Sequence, residues 1–327
     1  MASTWPIYAA LVLNGVIRAF NMPTGHAFLP LLVPEEHFPN AVAWSASFLQ
    51  AAMVIGPMAG GSLYFVSGSP SAVYASAALL YLTALALISR IRVPSVKRAR
   101  PAASLAVILQ GLRYIWHEKL ILGAISLDLF AVLLGGAVAL LPIYAREILK
   151  VGALGLGVLR GAPSLGAVLM AVVVAHRPLR RRAGYAMLGC VFGFGCFTIV
   201  FGLSRNLWLS LAALLLVGAC DMVSIIIRHT VIQLGTPDEM RGRVSAVNGV
   251  FIGASNEVGQ FESGITAQWF GSVPAVVLGG IGTIGIVAAW AWLFPTLRRI
   301  NALPGQPAAG STAADDATPR RPVRPRR

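Results

Sequence analysis

The chain has 327 residues, of which 57% are hydrophobic and 12% are charged, and its mean hydropathy is +0.74. Soluble domains carry roughly twice this share of charge, so the composition excludes a soluble enzyme, a secreted disulfide-rich protein and a disordered chain. The net charge of +14 would suggest a nucleic-acid partner in a soluble protein, but here the basic residues lie between apolar segments. We therefore expect an all-α, polytopic helical membrane protein, with the lipid bilayer and not nucleic acid as its partner.

Nine segments are long and apolar enough to predict membrane-spanning helices. They are continuous and rich in Leu, Ala, Val and Gly, without the alternation that is typical of a β-barrel. In chain order they lie at about 5–32, 41–67, 70–90, 120–145, 152–175, 184–204, 206–233, 243–270 and 271–295.

The lengths of the connecting segments predict four parts. We expect a partial N-terminal bundle of three helices at 1–91 and a basic, partly helical cytoplasmic linker at 92–119. A six-helix C-terminal bundle follows at 120–297, and a disordered basic tail at 298–327.

The basic residues also predict an orientation. If the C-terminus is cytoplasmic, 20 of the 26 Lys and Arg residues lie in cytoplasmic segments and three lie on the opposite side. Cytoplasmic loops carry an excess of Lys and Arg, so we expect a cytoplasmic C-terminus.

Neither the cysteines nor the histidines indicate a cofactor. The three cysteines lie inside apolar segments, and the five histidines are scattered without ligand spacing. The GxGxxG match at Gly280–Gly285 also lies inside an apolar segment with no strand before it, so helix packing is its better interpretation. We expect no cofactor, no metal site and no enzyme activity; an intramembrane enzyme would need clustered acids or a metal-binding pair.

A short internal repeat relates two parts of the chain. The segment Leu32–Phe48 resembles Gly235–Phe251, so that Pro34 corresponds to Pro237. Each segment leaves one apolar span and enters the next through a Pro-acid-acid helix start, as in transporters built from related halves. Three spans precede the linker and six follow it. If the halves are equivalent, we expect three helices, about 100 residues, to be absent from the N-terminal half.

The sequence resembles the major facilitator superfamily, and within it the bacterial efflux permeases of the enterobactin-exporter-like, transmembrane-secretion-effector group. The most specific stretches are Arg228–Asn248, Ser255–Gly264, Gly15–Phe20 and Leu29–Pro34. The resemblance implies that the nine spans are helices four to twelve of a twelve-helix fold in the bacterial inner membrane. The Gly-Asp-Arg-Gly loop that members usually carry between helices two and three is absent, and its second-half counterpart is only the basic segment His176–Arg182.

Ionisable residues inside the predicted spans are the candidates for substrate contact or proton coupling, because such residues are costly in a membrane. Asp221 and Arg228 are seven positions apart, two turns along one helix face, and we expect them either to face each other, as a structural ion pair or a proton-linked pair, or to bracket a polar cavity. Asp128 lies deep in its span, where burial favours the protonated form and suits proton coupling. The full candidate set is Arg18, Asp128, Asp221, Arg228, Glu257 and Glu262.

Glu257 and Glu262 are five positions apart on one helix, about 140° around it, so both cannot face one narrow cavity. We favour Glu257 for the cavity, beside the face that Asn256 and Gln260 share. Arg18 lies where the family often has an arginine in helix four, and the structural and functional interpretations of this residue are equally open.

Two further motifs have a functional and a structural interpretation. The GPxxGG segment, formed by Gly56, Pro57, Gly60 and Gly61, matches the core of the family's antiporter motif; it would either shape the cavity or provide a close-packed kink. Asp238, Arg241 and Arg243 follow Pro237. The resemblance implies a cytoplasmic charge latch there, whereas a helix cap combined with positive-inside retention is the structural alternative.

The resemblance implies a secondary active exporter of a small drug-like or siderophore-like molecule, coupled to protons by alternating access. The alternative is a truncated, transport-inactive remnant or an accessory membrane protein. The resemblance and the GPxxGG segment imply export as the direction of transport. The sequence does not indicate the oligomeric state.

Overall fold

The computed structural model describes residues 5, 8–17, 32–34, 37–91, 105–177 and 182–300. All regular secondary structure in these ranges is helical. The elements are α1 (Tyr8–Ile17), α2 (Phe38–Ser67), α3 (Pro70–Ser89), α4 (Leu105–His117), α5 (Lys119–Leu134), α6 (Leu141–Ile143), α7 (Gly152–His176), α8 (Ala183–Leu203), α9 (Leu207–Gly235), α10 (Asp238–Phe270), α11 (Ser272–Leu293) and α12 (Pro295–Arg298). A 3-10 turn at Ala137–Leu140 and a π-helical turn at Tyr144–Ile148 flank α6.

Seven helical segments in the described ranges are long and apolar enough to cross a membrane. They are Ser47–Ser67, Pro70–Ser89, Lys119–Ile148, Gly152–His176, Ala183–Leu203, Leu207–Gly235 and Ser272–Leu293, and each corresponds to a predicted span. Of the first predicted span, the helix Tyr8–Ile17 is described. The predicted span 243–270 forms α10, which is the least apolar of the long helices and is not among the seven.

The chain divides into two compact units, at residues 1–100 and 101–327. In the first unit, α2 and α3 pack against each other. The turn between them uses Gly68 in the left-handed conformation (φ 64°), and the Ser69 side chain accepts a hydrogen bond from the Ser71 N–H at 3.3 Å. This serine cap starts α3 with one of its otherwise unpaired N–H groups satisfied.

In the second unit, the closest helix pairs are α7 with α9, and α8 with both α9 and α11. A Cβ atom at Gly166 of α7 would collide with the backbone carbonyl of Leu215 on α9, and one at Gly218 of α9 would collide with the backbone of Pro163 on α7. Small residues let two helix backbones approach this closely. Met187, Ile227 and Leu297 are fully buried in the core that these helices share.

The second half of the predicted linker belongs to this bundle. Helix α4 packs against α5 and α10, where Ile115 is buried with Ile121 and Val247. The first residues of the predicted tail also pack on the bundle, because the Gly184 N–H donates to the carbonyl of Ile300 (3.1 Å). The predicted linker residues 92–104 and tail residues 301–327 lie outside the described residues.

Candidate functional site

Two of the predicted ionisable residues form a buried ion pair. Asp128 on α5 binds Nη1 of Arg228 on α9 through its Oδ1 atom, and the two side chains are 9% and 3% exposed. The sequence suggested Asp221 as the acid opposite Arg228, but the structure brings Asp128 to it from another helix. Arg228 Nε is also buried and has no hydrogen-bond partner among the described residues.

Helix α5 is held in position by hydrogen bonds from α11. Trp290 Nε1 donates to Ser126 Oγ (2.9 Å), and Thr283 Oγ1 donates to the carbonyl of Ala131 (3.3 Å). These contacts lie two residues before and three residues after Asp128, so they hold the part of α5 that carries its carboxylate.

Asp221 lies close to the ion pair without taking part in it. Its side chain and that of Asp128 line the same narrow cavity between α5, α8 and α9, together with Cys220 and Ser224. Asp221 is half-buried, and it forms no hydrogen bond or ion pair with any other described residue. Two carboxylates, one of them paired with Arg228, therefore line this cavity.

A second cavity, of about 210 Å³, adjoins the first. Asp221, Val132 and Phe194 line both cavities. The larger cavity is mostly apolar. Its polar lining consists of Asp221, Thr198, Asn256 and Gln260.

The remaining intramembrane candidates lie elsewhere. Glu257 is exposed on α10 and lines neither cavity, whereas Asn256 and Gln260 line the larger one. Glu262 is half-buried and accepts a hydrogen bond from Thr266 Oγ1 (2.7 Å) one turn along α10. Arg18 lies outside the described residues.

The GPxxGG segment lies in the middle of α2, in the first unit. Pro57 has no N–H to donate to the carbonyl of Met53, so the helix lacks one backbone hydrogen bond there. A Cβ atom at Gly60 would be 4.0 Å from Val73 of α3, and one at Gly56 would meet nothing within 4 Å. Gly60 thus contributes to the contact between α2 and α3.

The predicted latch residues lie at the start of α10, which begins at Asp238. Arg241 Nη2 donates to the carbonyl of Thr236 (3.5 Å), and Arg243 Nη1 contacts Met240 Sδ (3.3 Å). The first contact spans the turn between α9 and α10, and the second lies within α10. The switching role of these residues stays a prediction.

Sequence reasoning missed Phe194, Thr198 and Phe201 of α8. They line the larger cavity three and four positions apart, which places them on one helix face. The segment around them is apolar on all sides, so their spacing alone did not distinguish a cavity face from a packing face. Within the described ranges, no group of three or more His, Cys, Asp and Glu side chains is placed to hold a metal ion.

The sequence profile of the Major Facilitator Superfamily matches residues 1–260, which is most of the chain. The chain belongs to the major facilitator superfamily. Its all-α fold and its apolar helices are those of a multi-pass membrane protein of this family.

This major facilitator chain is similar to curated relatives in enteric bacteria. The enterobactin exporter EntS of Shigella boydii serotype 18 and that of Escherichia coli O157:H7 are each 28% identical to it over 280 residues. The matched region covers 85% of this chain and 63% of each relative. The chain therefore spans less than two thirds of the length of these relatives.

Proposed function

We propose that this chain is a secondary active exporter of a small organic molecule, driven by the proton gradient across the bacterial inner membrane, with its C-terminus in the cytoplasm. Membership of the major facilitator superfamily and the similarity to proteins named as exporters support transport and its direction. The observation that carries the proton coupling is the buried ion pair between Asp128 and Arg228, beside a cavity.

The free-energy cost of burying Asp128 and Arg228 supports a functional role for the pair. Removing two charges from water carries a large desolvation penalty, and apolar residues of similar size often give equal or greater stability. In a membrane, buried ionisable residues are accordingly concentrated on ion and proton pathways. Packing alone would therefore not require Asp128 and Arg228 in these helices.

The arrangement offers a simple coupling step. When Asp128 takes up a proton, its attraction for Arg228 is lost, and the guanidinium remains buried without a counter-charge. Asp221 lies two turns before Arg228 on α9 and lines the same cavity as Asp128. Arg228 then turns toward Asp221, and release of the proton from Asp128 reverses the exchange.

This exchange of partners links protonation to helix packing. The ion pair joins α5 to α9, so its loss changes the relative free energies of two arrangements of these helices. Among the described residues, the other titratable groups near the pair are His229 and Cys220 on α9, and Cys190 and Cys196 on α8. Helix α10, which packs on α5, carries Glu257 and Glu262. Helix α11, which also packs on α5, contributes no titratable side chain.

Transport by the purified full chain in proteoliposomes tests the proposal. Vesicles are loaded with neutral, cationic or anionic fluorescent dyes, and efflux is followed with and without an imposed pH gradient. We expect the gradient to accelerate efflux of at least one dye, and a protonophore to abolish the acceleration.

Two variants make this test specific. Asp128→Asn removes the titratable group with little change in shape, and should abolish the response to the gradient. Glu147→Gln removes an exposed carboxylate of the same bundle and should behave as the wild type. Wild-type protein that moves no dye in response to the gradient would contradict the proposal, and would favour the transport-inactive alternative.

A further inference from the structure

The larger cavity of the second unit has one charged side chain in its lining, and that charge is negative. Of the residues around the 210 Å³ space, Asp221 is the one that ionises to a charged form, and the others are apolar, glycine, hydroxyl or carboxamide residues. Arg228, which lies two turns along α9 from Asp221, is bound to Asp128. The cavity therefore carries a net negative charge when Asp221 is ionised.

An aromatic ring lines the same space. Phe194 of α8 belongs to the lining together with Asp221 of α9, and it is half-buried. Phe201 also belongs to the lining, but its ring is fully buried against Tyr144, with ring centroids 4.6 Å apart. The faces of aromatic rings attract cations, most strongly where water is excluded. A carboxylate and an aromatic ring beside an apolar space match a cation that carries apolar groups.

The carboxamides of α10 add acceptors to this lining. Asn256 Nδ2 donates one of its two N–H groups to the carbonyl of Ile252 (2.8 Å), which leaves the acceptor Oδ1 and one N–H of this side chain. Gln260 lies one turn further along the same face. A ligand with an N–H group beside its positive charge would find an acceptor here. An anionic ligand would be repelled by the carboxylate of Asp221.

We infer that this cavity binds the head group of an organic monocation with an apolar or aromatic body, and that it disfavours organic anions. This inference rests on the proposed export function and names its substrate class. The volume also points to a head group, because pockets that enclose a whole drug-sized ligand measure about 300–1,000 Å³.

A pair of probes that differ in charge but hardly in shape tests the inference. The cation 4-(4-dimethylaminostyryl)-N-methylpyridinium fluoresces more strongly in apolar sites, and 4-(4-dimethylaminostyryl)pyridine is its neutral analogue. Binding of each is measured with the purified full chain in lipid nanodiscs, at a pH well above the pKa of the pyridine nitrogen so that the analogue stays neutral, and is corrected with empty nanodiscs. We expect the cation to bind about tenfold more tightly than the neutral analogue, as one Coulombic contact with a carboxylate would give. An aromatic anion, benzoate, should not displace it.

Variants then assign the charge preference to one side chain. In Asp221→Asn, the affinity for the cation should exceed that for the neutral analogue by no more than about twofold. Asp221→Glu should restore most of the roughly tenfold difference. Glu147→Gln is the matched control for losing a carboxylate elsewhere, and should keep the wild-type preference. The wild-type comparison of cation with neutral analogue is informative even if a variant fails to fold.

The outcomes separate this inference from the proposed function. Equal binding of both probes by the wild type, or an unchanged preference in Asp221→Asn, would overturn the cation site; gradient-driven efflux of a neutral dye would then still support the exporter. Conversely, cation binding that depends on Asp221, without gradient-driven efflux of any dye, would support the site and overturn the proposed transport.

Discussion

Arg228 on α9 pairs with Asp128 on α5, and not with Asp221, which lies two turns away on the same helix. The pair is almost completely shielded from water, and it joins two helices that are far apart in the chain. Asp221 is left at the junction of two cavities. This division gives the two acids different expected roles, Asp128 in proton coupling and Asp221 in substrate binding.

Removing one member of the pair should destabilise the second unit. Arg228→Gln and Asp128→Asn each leave one buried charge without a partner, which costs about 3–5 kcal/mol. The double variant removes both charges and should recover most of that loss. Thermal unfolding of detergent-solubilised protein, followed by tryptophan fluorescence, measures the effect. A double variant as unstable as the sum of the single variants would show that the pair is not coupled.

The close approach of α7 and α9 should make Gly166 intolerant of a side chain. A Cβ atom there would collide with the backbone carbonyl of Leu215, so the helices would have to separate. We expect Gly166→Ala to lower the free energy of unfolding by about 1–3 kcal/mol. Gly189→Ala on α8, where a Cβ atom meets nothing within 4 Å, is the control and should leave stability equal or slightly higher. Equal melting temperatures of the two variants would contradict this packing.

A buried hydrogen bond ties the end of the α5 span to α8. The hydroxyl of Tyr144 donates to the carbonyl of Gly202 (2.8 Å), and Tyr144 is fully buried. Tyr144→Phe would leave that carbonyl unpaired at a cost of about 1–3 kcal/mol. Tyr185→Phe on the exposed face of α8 should change stability by less than about 0.5 kcal/mol. The same thermal assay checks both variants, and a Tyr144→Phe protein as stable as Tyr185→Phe would be inconsistent with this contact.

The proposed orientation places the two ends of α8 on opposite sides of the membrane. Arg177 precedes this helix and Arg205 follows it, and both side chains are exposed. In a background with Cys190, Cys196 and Cys220 replaced by serine, we expect Arg205→Cys to react with a membrane-impermeant maleimide in intact cells. Arg177→Cys should react only after permeabilisation. The reverse pattern would place the C-terminus outside the cytoplasm.

Much of the helical layout was predictable because long apolar segments have few alternatives in a membrane. The predicted span 70–90 ends one residue after Pro70–Ser89, and the predicted span 184–204 is displaced by one residue from Ala183–Leu203. Helix α4 shows the limit of such patterns. The sequence predicted it as the helical part of a cytoplasmic linker, and its apolar residues pack against α5 and α10. Amphipathicity indicates that one face is covered, not which surface covers it.

The candidate site was predictable as a set of residues but not as an arrangement. Intramembrane charge singled out Asp128, Asp221 and Arg228, because few other charges lie inside the spans. Their pairing depends on how α5 packs against α9, which sequence spacing on one helix does not reveal. On α10 the spacing identified the shared face of Asn256 and Gln260, but the charge of Glu257 drew the prediction to the neighbouring face.

The most direct test of the central claim is whether substrate movement drives protons through Asp128. Proteoliposomes that contain the full chain and an internal pH-sensitive dye are given a substrate gradient and no initial pH gradient. Wild-type protein should move protons opposite to the substrate, while Asp128→Asn should move substrate without protons. Proton movement of equal size in Asp128→Asn would contradict the claim that the Asp128–Arg228 pair couples transport to protons.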